Sequence, residues 1–116
     1  MSREFNSTSS TASISAVTPV ADVKGQLAHP EHIAHSERLE RKLYQVRENV
    51  WCMVGNGLSN QSFVEGPECL ICIDTGECVE EMQSALDEVM KFTQAPVVAC
   101  IYTHFHYVNG TTALFS

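Results

Sequence analysis

The chain has 116 residues, 44% hydrophobic and 18% charged, a balance that fits one globular domain at most. Seven Lys and Arg stand against 14 Asp and Glu, a net charge of −7, so the clustered basic side chains that engage nucleic-acid phosphates or anionic membranes are missing. No apolar run approaches the roughly 18 residues that span a bilayer, and no continuous apolar stretch opens the chain as a secretory signal would, which predicts a cytoplasmic protein.

Residues 1–24, rich in Ser and Thr, have little to bury and cannot offset the entropy of ordering, so a disordered tail is expected there. Residues 25–42 read as a short surface helix and linker. In "HPEHIAHSERLERKL" Pro30 suits a first helical turn, and acidic and basic residues are mixed along the segment. His29, His32 and His35 recur every third residue and could share a helix face. No carboxylate or cysteine supports them, so they read as solvated side chains.

From Leu43 the pattern changes to short strands. "LYQV", "VWCMVG", "QSFVEG" and "CLICID" are rich in strand formers and broken by turn residues, with Glu65-Gly66-Pro67-Glu68 as a hairpin turn. "CVEEMQSALDEVMKF" then spaces Val79, Met82, Leu86 and Val89 at helical intervals, with acids early and Lys91 late. These apolar positions predict a helix packed on a sheet. After Pro96, "VVACIYTH" reads as a buried strand. The expected fold class is therefore α/β, a β-meander followed by β-α-β, with one right-handed crossover setting Ile71-Cys72-Ile73 beside Val98-Ala99-Cys100 in a parallel pair.

Five cysteines, an odd number, exclude a complete disulfide framework and suit a reducing compartment. Cys69 and Cys72 match C-x-x-C, but residues three apart on a strand face opposite sides of the sheet. That placement argues against a zinc or redox role for the pair.

Two strand ends carry the chemistry. "CIDTG" closes one with Asp74, and "IYTHFH" closes the next. Ligands of open α/β sheets bind beyond the carboxyl ends of the strands. His104 and His106 are two apart, so in an extended segment both rings project to one side and could chelate one ion. Asp74, on the adjacent strand, is placed to accept an imidazole N–H.

"VWCMVGNGLSNQSFVEGPECLICIDTG", the helix after it and "ACIYTHFHYVNGT" together resemble the N-terminal half of the metallo-β-lactamase fold. "LSNQSFVEG" and "IYTHFH" are most similar to its alkylsulfatase-like branch. The resemblance covers residues 43–116 and implies half of an αββα sandwich. It further implies a zinc-dependent hydrolase acting on a small-molecule ester, with sulfate esters as the branch's substrates. The superfamily signature is H-x-H-x-D-H. His104 and His106 match its first two metal ligands, whereas Val108 stands at the aspartate position and Asn109 at the last histidine. Neither suits zinc, so the second-metal position is degenerate and one zinc ion with an incomplete ligand set is what this chain could hold. Further ligands, and any surface for homo-oligomerisation, would come from regions after position 116, so the chain reads as a truncated domain inactive by itself. The competing reading is a non-catalytic member or subunit of the same fold.

Overall fold

The computed structural model describes residues 16–115, which fall into two units divided between His35 and Ser36. In the first unit, β1 (Val20–Ala21) pairs antiparallel with β2 (Leu27–Ala28) around a turn in which the Asp22 carboxylate accepts N–H groups of Lys24 and Gln26. The tail expected through residue 24 is thus interrupted by a small hairpin, because Asp22 and Gly25 supply turn chemistry that a count of Ser and Thr does not register. The part of that tail before residue 16 lies outside the described residues. Helix α1 (Pro30–Glu37) buries no residue. His29 and His32 lie 5.4 Å apart between ring centroids, and His29 Nδ1 accepts the Glu31 N–H at the helix start. His29 therefore acts as a cap.

The second unit is a five-stranded sheet in the order β3-β4-β5-β6-β7, formed by Lys42–Arg47, Val50–Val54, Gln61–Glu65, Leu70–Ile73 and Val97–Ile101. The first four strands form the expected antiparallel meander. The β5–β6 turn is the one read from "EGPE", closed by Gly66 N–H to Cys69 O at 2.7 Å with Glu65 opposite Leu70. Helix α2 (Val79–Val89) crosses over, and β7 pairs parallel to β6. Alternation explains which face is covered. Trp51, Met53, Phe63, Leu70 and Cys72 point to one side and meet Met82, Ala85 and Val89 of α2.

Three local expectations are corrected. Val79 is 41% exposed and Leu86 only partly buried, while Ala85 is in the core. Residues 82, 85 and 89 lie on the stripe that faces the sheet, and Val79, one turn earlier, lies beyond its edge. Strand β7 is not buried: Val98 is 56% and Ile101 51% exposed, since among the described residues β7 has a neighbouring strand on one side only. Finally, the parallel register places Cys72 opposite Cys100, one residue away from the pairing anticipated. The shift between Leu70 and Ile71, where Leu70 pairs with Val97 and Ile71 with Ala99, accounts for the offset.

Candidate metal centre

The site sits where β6 and β7, running parallel, both end. The chain leaves β6 through Asp74, whose φ is +59°, and passes Thr75 and Gly76 before α2. It leaves β7 at Ile101, bends through residues 103–107 and enters a 3₁₀ helix at Asn109–Ala113. Tyr107 also has φ +59°. A left-handed conformation costs a non-glycine residue roughly 1 kcal/mol or more, least for Asp, whose short side chain bonds locally.

Hydrogen bonds between the two loops hold both conformations. Asp74 N donates to Ile101 O at 2.9 Å, and Thr75 N donates to Tyr107 O at 2.9 Å. The hydroxyl of Thr75, a fully buried residue, donates to the same carbonyl at 3.2 Å. Gly76 and Val108 then form an isolated parallel bridge. Thr111 closes the lower edge: its hydroxyl donates to Val108 O at 2.8 Å and accepts from the Tyr102 hydroxyl at 2.5 Å, with Thr75 Oγ1 in contact at 3.1 Å. Gly110 lets the loops approach this closely, because a Cβ there would lie 1.9 Å from Thr75 O and 2.6 Å from Met82 Cβ.

A buried polar cluster supports the glycine turn from below. Gln61, with no exposed surface, donates through Nε2 to Glu81 Oε1 at 2.9 Å and to Ser59 O at 3.0 Å. The Glu81 carboxylate also accepts the Glu77 N–H at 3.2 Å, which satisfies a backbone donor just ahead of α2. Asn56 donates to Glu81 O at 2.7 Å, fastening the β4–β5 loop to the helix.

His104 and His106 are exposed at the tip, with ring centroids 5.1 Å apart and planes at 61°. Phe105, 82% exposed, stacks on His106 at 3.9 Å, and Tyr107 meets His104 edge-on at 5.5 Å. The segment is bent rather than extended, so the two rings converge through loop geometry and not through strand alternation. Val108 is half-buried and Asn109 exposed. No cluster of three metal-ligating side chains occurs among the described residues.

Asp74 does not accept an imidazole N–H directly. Its carboxylate takes the Thr103 N–H on Oδ1 at 3.0 Å and the Thr103 hydroxyl on Oδ2 at 2.7 Å. Thr103 Oγ1 in turn lies 2.9 Å from His104 Nδ1. A hydroxyl has one proton, and an ionised carboxylate can only accept. With that proton directed to Asp74, the neutral His104 ring must donate Nδ1–H to Thr103, which leaves the Nε2 lone pair free for a ligand. Sequence reading passed over Thr103, although a threonine directly before a strand-end histidine was the available signal. Thr75, Gln61 and Glu81 carried no comparable signal, since their roles depend on partners distant in sequence.

Two thiols lie beneath. Burial, reinforced by the neighbouring Cys100 and Asp74, pushes the Cys72 thiol far above its ordinary range, and burial also raises Cys100. Cys72 Sγ donates to Asp74 O at 3.3 Å.

No protein-family model matches the chain. Over 55 residues it is 44% identical to a linear primary-alkylsulfatase of a Pseudomonas species, a stretch covering 46% of this chain and 10% of that protein. Over 65 residues it is 37% identical to an alkyl/aryl-sulfatase of Saccharomyces cerevisiae, covering 55% of this chain and 10% of the relative. The chain therefore spans about a tenth of the length of these curated relatives. Among solved structures, a stereoselective inverting sec-alkylsulfatase from Pseudomonas sp. superposes with a TM-score of 0.68 at 20% identity, covering 87% of this chain and 19% of that one. A double mutant of that enzyme gives 0.69 with the same coverage. At this identity the superposition speaks for the fold, and the sequence matches speak for the branch. The chain is alkylsulfatase-like over the part of these relatives' length that it matches.

Proposed function

We propose that this chain is part of a zinc-dependent hydrolase of sulfate esters, in which His104 and His106 provide two of the metal ligands. The single observation that carries the reading is the chain of hydrogen bonds Asp74–Thr103–His104, which orients one imidazole with its Nε2 free beside a second imidazole. The donor set fits half of a zinc site. Catalytic zinc takes three protein ligands and keeps one position for water, so a third ligand from elsewhere is required. A bound ion would polarise the ester and make a nearby water more acidic. The residues of this chain hold and orient: Asp74 and Thr103 set the His104 tautomer, Thr75 clamps the loop that carries His106, and Phe105 offers an apolar wall beside it.

In this reading the sheet with α2 on one face is one half of an αββα sandwich. A small sulfate ester is the partner, nucleic acid and membrane are not, and five unpaired thiols suit a reducing, cytoplasmic setting. The alternative, a non-catalytic member of the fold, draws on Val108 and Asn109, which offer no carboxylate or imidazole at the second-metal position.

Zinc titration of the chain, followed by imidazole nitrogen NMR, separates the two. The hydrolase reading expects weak binding, with shifts confined to His104 and His106 and lost in His104→Ala. Unshifted rings at millimolar zinc would favour the non-catalytic reading.

A further inference from the structure

Strands β6 and β7 carry one cysteine each, and the parallel register sets them opposite one another, Cys72 against Cys100. Directly paired residues on neighbouring strands project to the same face, and adjacent strands lie about 4.8 Å apart. That spacing falls inside the Cα separation of about 4.4–6.8 Å that a disulfide requires. Both thiols are free. The other three cysteines have no such partner. Cys52 stands opposite Tyr44 and Ser62, Cys69 lies at the β5–β6 turn, and Cys78 is exposed just before α2.

We propose that Cys72 and Cys100 form a reversible disulfide when the chain meets a small-molecule disulfide oxidant, and that this bond staples β6 to β7 directly beneath the loops that carry Asp74 and His104. Cys100, half-buried, is the entry point, since Cys72 is fully buried. The Cys100 thiolate attacks one sulfur of glutathione disulfide. A mixed disulfide forms, and one glutathione thiolate leaves and takes up a proton. Cys72 then gives up its proton and attacks the Cys100 sulfur, expelling the second glutathione. The two protein thiols are oxidised by two electrons, and glutathione disulfide is reduced to two thiols. Burial keeps both cysteines protonated in the resting state, which makes each step slow.

The consequence falls on the site. Asp74 is two residues beyond Cys72, and Thr103 is three beyond Cys100. The bond that joins them, Thr103 N–H to Asp74, spans the two strand ends that the staple would tie together.

The test incubates the 116-residue chain with glutathione disulfide, quenches with N-ethylmaleimide and maps the peptides. The expected product is two hydrogens lighter, has a Cys72–Cys100 linked peptide and three alkylated cysteines, and reverts with dithiothreitol. In Cys100→Ser, no linked peptide should form and Cys72 should stay a thiol. Cys72→Ser should instead trap glutathione on Cys100, so that either variant serves if the other does not fold. Hydrogen exchange at the Thr103 amide should slow in the oxidised chain. The proposal is overturned if Cys72 and Cys100 remain free thiols while glutathione accumulates on Cys52, Cys69 or Cys78. It is equally overturned if the links formed in the native chain are as scattered as those formed in urea.

Discussion

Thr103→Val removes one hydroxyl and keeps the shape of the side chain, which makes it a direct test of the link from Asp74 to His104. In the native chain that hydroxyl donates to Asp74 Oδ2 at 2.7 Å and faces His104 Nδ1 at 2.9 Å. The backbone bond from Thr103 N to Asp74 Oδ1 survives the change, so the loop keeps one of its two ties to the carboxylate. A hydrogen bond at an exposed site contributes about 1 kcal/mol, which moves the tautomer ratio of His104 by roughly five-fold. Loss of an outer-shell partner weakens metal binding by about 10- to 100-fold. Long-range proton–nitrogen NMR reads the tautomer without any metal. Wild type should carry its proton on Nδ1 of His104, and the variant should shift toward Nε2, with His106 unchanged. A wild-type ring already protonated on Nε2 would refute the reasoning, whatever the zinc affinity.

Gly110→Ala should destabilise the chain by about 3 kcal/mol or more, since its Cβ has to displace backbone of Thr75; urea midpoints with an unchanged slope would measure it, and a neutral result would mean that the loops are not tightly joined. Val108→Asp combined with Asn109→His should raise the zinc bound per chain in equilibrium dialysis, because Asn109 is exposed and Val108 only half-buried; no gain in a folded variant would show that the match to the superfamily signature is misplaced. Stability should fall with rising pH from about pH 9 upward. The folded state holds the Cys72 proton while the unfolded thiol has released it, so each pH unit costs about 1.4 kcal/mol. Cys72→Ala should lack that component, and identical slopes for the two proteins would contradict the assignment. Gln61→Leu leaves Glu81 and Asn56 without their buried partner and should cost about 1–3 kcal/mol, read by thermal unfolding.

The meander, the crossover helix and the strand-end histidines were legible in the sequence because local rules produce them. Runs of strand-forming residues in "VWCMV" and "QSFVE" specify strands, "EGP" specifies a turn, and a 3.6-residue period specifies α2. The "THFH" motif announced a site for the same reason: its residues are neighbours in the chain. What the tertiary structure decided depends on residues brought together from far apart. The register of β6 against β7, which pairs Cys72 with Cys100, follows from an irregularity at Leu70 that no periodicity encodes. Whether β7 is central or at an edge depends on what lies beside it, which a run of apolar residues cannot state. The role of Asp74 shows the difference most sharply. Its position at a strand end was readable, but its acceptor sites are filled by Thr103, from the loop 29 residues further along, and only the folded loops make that threonine the link to His104.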